Sequence, residues 1–267
     1  MIIINEEKIK DTNKWKDDSV FVLADFDNTI TSYDSYNSWE IIVNNKNISE
    51  DYKKEVYDLF KYYRPIEIDE TLDIEIRQKH MIDWWNHEIE LFIKYNFDEN
   101  VIFEANNNVE LMKFREGFKN FFVDMNKRNI PIIIISAGIG NFIEKFLCDN
   151  NCYFENVFVL SNFLKFDNKR LVGFNNNIIH SLNKDIVNLP DNILERIKNR
   201  SNIILFGDSI SDIKMASLYD KSNILSIGFL EENLENNLKH FKDTFDIVAT
   251  EKSSLAEIVK KSKILKR

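Results

Sequence analysis

Val20-Phe21-Val22-Leu23-Ala24-Asp25-Phe26-Asp27-Asn28-Thr29 is the stretch whose reading decides the fold. An apolar run without polar alternation suits a strand buried on both faces of a parallel sheet. Successive side chains of an extended chain point to opposite faces, so Asp25 and Asp27 should emerge together while Phe26 turns away. Two carboxylates 4 Å apart repel by about 1 kcal/mol in water and about 4 kcal/mol at an effective dielectric near 20. Such a pair calls for a cation, a shared proton or a catalytic use. A strand followed by an ordinary Asp/Asn/Thr turn is the competing reading of these residues alone.

Two more apolar runs, 131–135 and 203–206, share this pattern and end in Ser136-Ala137-Gly138 and Gly207-Asp208-Ser209. Helical patterns follow them around 141–147 and 213–218. Strand, polar turn and helix in repetition predict an α/β fold, in which ligands bind beyond the carboxyl ends of the strands. Between Asp25 and Ser136 the chain runs far longer than the about 30 residues of a strand–helix–strand unit. The excess suits helices: Asp69-Glu70-Thr71 reads as a helix start, and Ile76, Met81, Trp84, Trp85, Ile89, Phe92 and Ile93 recur at roughly helical spacing. The expected organisation is a core of residues 1–30 and 117–267 and a mostly helical cap of residues 31–116, re-entering at Gly117. A hairpin is expected over 163–166 and 171–174 with Asp167-Asn168 in its turn, and the basic tail 260–267 as a solvated helix end.

The 267 residues carry a formal charge of -9, which argues against a general binder of nucleic acid polymers. Cys148 and Cys152 read as free thiols of a reducing compartment. The short apolar run 2–4 does not make a leader, and no segment is long and apolar enough to span a membrane. A cytoplasmic monomer is expected.

Asp25, Asp27, Asp208 and Asp212 would gather at one sheet edge, where oxygen ligands suit Mg²⁺. A carboxylate can act as nucleophile, and a second one two residues on can act as acid and base. Phosphoryl transfer also needs donors and positive charge, which Ser136-Ala137-Gly138-Ile139-Gly140 and Lys184 could supply. Each residue alone has a plainer reading as turn, cap or surface residue. Their joint occurrence, each after a strand, does not. His80, His87, His180 and His240 show no metal-site spacing.

This order of motifs resembles the haloacid dehalogenase superfamily of phosphatases, whose fold is a Rossmann-like parallel sheet with an inserted cap. The blocks 130–140, 160–163 and 179–184, with Tyr62-Tyr63-Arg64-Pro65-Ile66-Glu67 and Met81-Ile82-Asp83-Trp84-Trp85 in the cap, resemble more closely the cytosolic 5′-nucleotidase III (pyrimidine 5′-nucleotidase) family. The likeness implies a Mg²⁺-dependent hydrolase of nucleoside 5′-monophosphates such as UMP, CMP or 7-methyl-GMP, working through an aspartyl-phosphate. It implies Asp25 as nucleophile and Asp27 as acid/base. Asp25, the Asp27 main-chain carbonyl and Asp208 would hold Mg²⁺, with Asp212 supporting. Ser136, Ala137, Gly138 and Lys184 would hold phosphate, and Glu67 would meet the base. Asp83 and Glu88 depart from the family pattern, Glu88 falling where a small or hydroxyl residue near the substrate is usual. Trp84 and Trp85 could stack on a base or form cap core. The alternatives are a phosphatase for another small phosphomonoester such as phosphoserine, a receiver-type signalling module, and a binding protein without catalysis. A large insertion after the first strand speaks against the receiver.

Overall fold

Val20, Val22 and Ala24 point into one apolar layer and Phe21 and Leu23 into the opposite one, so β2 (Val20–Ala24) is buried on both faces. That is why this run lacks polar alternation. The computed structural model describes residues 1–4, 12, 14–184, 189–250 and 253–262. The strands are β1 (Ile2–Ile4), β2, β3 (Ile132–Ile139), β4 (Val157–Asn162), β5 (Leu164–Asp167), β6 (Arg170–Phe174), β7 (Asn202–Gly207), β8 (Ile224–Leu230) and β9 (Ile247–Thr250). Seven of them form a sheet of order β1-β9-β8-β7-β2-β3-β4, parallel except for β1. The short run 2–4 is thus an antiparallel edge strand, a role its length conceals. The chain leaves β2 towards β3 and β4 and later builds β7, β8 and β9 on the other side. The strand order therefore reverses around β2, and Asp25 stands where such sheets open a crevice.

The helices are α1 (Glu40–Val43), α2 (Glu50–Ile68), α3 (Ile74–Lys94), α4 (Glu99–Ala105), α5 (Phe118–Lys127), α6 (Gly140–Asp149), α7 (Asp191–Ile197), α8 (Leu234–Thr244) and α9 (Leu255–Ser262). α1 to α4 form the insertion. Its two connections run side by side, the Ser32 amide donating to the Lys113 carbonyl at 2.9 Å and the Arg115 amide to that of Ile30 at 2.8 Å. The chain re-enters at Gly117, whose φ is +95° and where a Cβ would lie 2.7 Å from the Ala256 nitrogen. Only glycine fits that backbone and that space.

Two local expectations are corrected. Asp69-Glu70-Thr71 is not a helix start: Asp69 follows α2, and α3 is capped by Asp73, whose carboxylate accepts from the Glu75 amide at 2.9 Å. Acidic residues on both sides of the break make either one a plausible cap. The hairpin turn is Asn168-Lys169, one residue later than expected; their φ values of 47° and 69° are the left-handed pair a two-residue hairpin needs. The helical pattern read after β7 is a tight 3₁₀ segment, Ile210–Ala216. The Asp212 carboxylate accepts from the Asp208 and Ser209 amides at 3.1 and 3.0 Å and winds the chain tightly. In the basic tail Lys260 and Lys261 are exposed, while 263–267 and Asp185 lie outside the described residues. No helix among the described residues is long and apolar enough to cross a membrane.

Candidate active site

Asp25 continues the line of β2, its amide donating to the Phe206 carbonyl of β7 at 3.0 Å. Phe26 is buried against Phe146 and anchors the turn. Asp27 stays extended and Asn28 turns left-handed at φ 57°, so the chain doubles back with the Asn28 amide donating to Thr31 Oγ1 at 3.0 Å. Both carboxylates consequently face one cleft, of about 1440 Å³, that runs beneath the insertion.

The site's central contact joins residues far apart in sequence. Lys184 Nζ donates to Asp25 Oδ1 at 2.6 Å and to Asp212 Oδ1 at 2.7 Å, and all three side chains are buried. Burial disfavours the Lys184 charge, but Asp212 and Asp25 more than offset it, and its pKa is raised. Burial raises Asp25, against the pull of Lys184. Asp208 is raised well above the usual carboxylate range by burial, then by Asp25 and Asp212. Carboxylate oxygens of Asp25, Asp208 and Asp212 lie within 4.8 Å of one another. With all three carboxylates ionised, one ammonium leaves two negative charges, which a divalent cation would balance and whose burial without one raises Asp25 and Asp208. The donor set is all oxygen, which fits Mg²⁺. Asp212 already serves Lys184 and the Asp208 and Ser209 amides. No other cluster of three or more His, Cys, Asp or Glu with ligand geometry occurs among the described residues.

The Asp27 carboxylate turns away from that cluster. It accepts from the Ser38 amide at 3.3 Å and from Ser38 Oγ at 3.2 Å. Burial, then the Asp25 charge, raises its pKa to about 7. A proton can therefore reside on Asp27 near neutral pH. Ser38, from the insertion, is fully buried, and its Oγ also accepts from the Ile139 amide at 3.0 Å. The sequence offered no signal for it: a serine in a polar stretch stands out in no pattern.

Ser136, Ala137 and Gly138 line the cleft as expected, but inside an irregular end of β3 rather than an open turn. The Gly138 amide donates to Ser136 Oγ at 3.0 Å, and the Ile139 amide is taken by Ser38. Those two amides are thus engaged within the protein, and the Ser136 hydroxyl keeps its hydrogen for a ligand. A Cβ on Gly138 would lie 2.1 Å from Ser38 Oγ and 3.0 Å from Asp27 Oδ2. Asn162 fixes the stretch by donating to the Ala137 and Ile179 carbonyls at 2.9 and 2.8 Å.

From the insertion, Glu67 Oε1 accepts from Ser181 Oγ at 2.5 Å and its other oxygen pairs with Arg64. Gln78 and Trp85 donate to the Leu182 and Ile179 carbonyls at 2.8 and 3.2 Å, so the insertion grips the loop that carries Lys184. Glu88 is 4% exposed, accepts from Trp84 Nε1 at 3.2 Å, and is raised to about 7 by burial. Trp84 stacks on Tyr63 and Trp85 on Trp39, and both line the cleft. His87 bonds Tyr63 and His180 accepts from the Leu182 amide, in keeping with structural histidines.

Arg115 also escaped the sequence reading. It is 2% exposed and donates to the Asn28 and Thr29 carbonyls at 2.6 and 3.1 Å and to Glu231 at 2.8 Å, with its guanidinium 4.0 Å from the Phe229 ring centre. It ties the outgoing connection of the insertion to the turn that carries Asp27.

The pyrimidine 5′-nucleotidase (UMPH-1) family model matches residues 28–266. A 7-methylguanosine phosphate-specific 5′-nucleotidase of Mus musculus is 36% identical over 251 residues, 91% of this chain and 83% of that protein. A crystal structure of cytosolic 5′-nucleotidase IIIB bound to cytidine superposes with a TM-score of 0.84 at 31% identity, covering 98% of this chain and 93% of that one. A substrate-bound phosphoserine phosphatase shares the fold, with a TM-score of 0.59 at 16% identity over 93% of this chain and 99% of that one.

Proposed function

The chain belongs to the pyrimidine 5′-nucleotidase family and is a phosphoric monoester hydrolase of the 5′-nucleotidase kind, and on that premise we propose residues and a substrate for its reaction. Asp25 is the nucleophile that takes the phosphoryl group from a nucleoside 5′-monophosphate, forming an aspartyl-phosphate. Asp27, protonated near pH 7, gives its proton to the departing 5′-oxygen and then draws one from the water that releases phosphate. Lys184 holds Asp25 in place and supplies positive charge beside the phosphoryl group, with Ser136 and the Ala137–Gly138 backbone around it. Mg²⁺ would be held by Asp25, the Asp27 main-chain carbonyl and Asp208, with Asp212 behind. Bound there, it would neutralise charge developing on the phosphoryl oxygens.

The observation that carries this reading is the Lys184 bridge from Asp25 to Asp212 with Asp208 alongside. Residues 1–30 and 117–267 act as the catalytic core and 31–116 as a specificity cap, which the paired connections at Ser32–Lys113 and Ile30–Arg115 support. Glu67 and Glu88 belong to the cap's base-facing wall. Relatives named for 7-methylguanosine phosphate and a neighbour holding cytidine support a pyrimidine or 7-methylguanine nucleotide as substrate. The cytosolic neighbour supports a cytoplasmic setting. The test is phosphate release with Mg²⁺ from CMP, UMP, 7-methyl-GMP, AMP, GMP and phosphoserine. Metal-dependent turnover of nucleotides is expected; turnover of phosphoserine alone would overturn the reading.

A further inference from the structure

Two buried side-chain atoms in the cleft have no hydrogen-bond partner, Glu88 Oε2 and Trp39 Nε1. An indole N–H can only donate, and an ionised carboxylate can only accept. A buried polar group left unpaired costs about 1–3 kcal/mol, so their joint presence asks for a ligand that supplies one acceptor and one donor. They sit on a common aromatic wall. Trp39 lies flat on Trp85, ring centres 4.6 Å apart and planes 8° from parallel, and Trp85 lies 5.6 Å from Trp84. Trp84 in turn holds the other Glu88 oxygen. Trp84 and Trp85 lie four and three residues before Glu88 on α3, so each is a surface neighbour of it on the helix.

We propose that Glu88 and Trp39 read the nucleobase: Glu88 Oε2 accepts from an exocyclic amino group, while Trp39 Nε1 donates to an acceptor on the same base. This deepens the nucleotidase reading and rests on it. Cytosine carries an amino group beside a ring-nitrogen acceptor. Uracil presents a carbonyl oxygen at that position, which would face the carboxylate with no hydrogen between them. The structure thus assigns the protein to nucleoside monophosphates with amino-bearing bases and against uracil.

Because Glu88 titrates near 7, the test is run at pH 8, where it is ionised; the neighbouring Tyr52, raised by burial and by the Glu88 charge, stays neutral there. The unmodified protein with Mg²⁺ is given CMP, UMP and p-nitrophenyl phosphate. We expect kcat/KM for CMP to exceed that for UMP by about tenfold or more. Glu88→Gln, whose amide can also donate, should bring the two within about threefold of each other, chiefly through a lower KM for UMP. Cytidine should quench the intrinsic tryptophan fluorescence of the unmodified protein at lower concentration than uridine, a readout independent of turnover. Equal handling of CMP and UMP, with p-nitrophenyl phosphate still hydrolysed, overturns the base-reading role and leaves the phosphatase chemistry standing. Failure to hydrolyse any of the three overturns the nucleotidase reading and this inference with it.

Discussion

Asp25 has one oxygen committed to Lys184, and the chemistry rests on what the other can do. Asp25→Asn should lower turnover by about 10³-fold or more while leaving the fold in place, as measured by phosphate release and thermal melting. Lys184→Met removes the only ammonium that the described residues place on Asp25 and Asp212. Leaving buried charge without its partner costs about 3–5 kcal/mol, so this variant should lose both activity and melting temperature. Glu88 gives a pH signature of a different sign from the usual carboxylate. Its folded pKa is raised from 4.5 to about 7, so the folded state holds the proton more tightly than the unfolded chain. Stability should therefore fall as pH rises from about 4.5 to 7, by up to about 3 kcal/mol, and level off above. Glu88→Gln should flatten that dependence in denaturant titrations at pH 5 and 8. Asp25, Asp27 and Lys184, proposed from their types and spacing because chemistry restricts which residues can serve, do share one cleft. Ser38 and Trp39 were not legible in the sequence, because a serine or tryptophan acquires its meaning only from what it touches.

At the scale of elements, each apolar run became a strand, and each following turn lies at the sheet edge where the reactive residues meet. What the runs could not convey was how each turn is built. The end of β3 is held by Ser136, Ser38 and Asn162, and it leaves no room at Gly138. Gly138→Ala should push Ser38 off Asp27 and lower kcat more than about tenfold; an unchanged rate in steady-state assays would show that the Ser38–Asp27 contact has no catalytic value. The helix break at 69–73 was misplaced by sequence because Asp69 and Asp73 both suit a cap, and only the packing of α2 beside α3 chose between them. The turn of the β5–β6 hairpin was misplaced by one residue for a similar reason. Asn168 was in view, but the left-handed conformation of Lys169 is unusual for its type.

Across the whole molecule, the excess negative charge at the site is the feature a ligand must meet. Mg²⁺ should raise the melting temperature, and at a hundred times its dissociation constant the gain would be about 2.7 kcal/mol. Chelation should abolish turnover, and Asp208→Asn should weaken both effects of the metal. Arg115 joins the insertion, the Asp27 turn and Glu231, just past the end of β8. The sequence by itself determined the α/β class, the insertion after the first strand, and the acidic and cationic residues proposed for the reaction. Periodicity, run length and residue chemistry are local properties that survive without coordinates. The meeting of Lys184 with Asp25 and Asp212, the turning of Asp27 towards Ser38, and the unpaired Glu88 and Trp39 in a common wall were decided only by the tertiary structure. Those contacts join positions remote in sequence, and burial, which sets their charges and hydrogen bonds, belongs to the packed chain and to no segment of it.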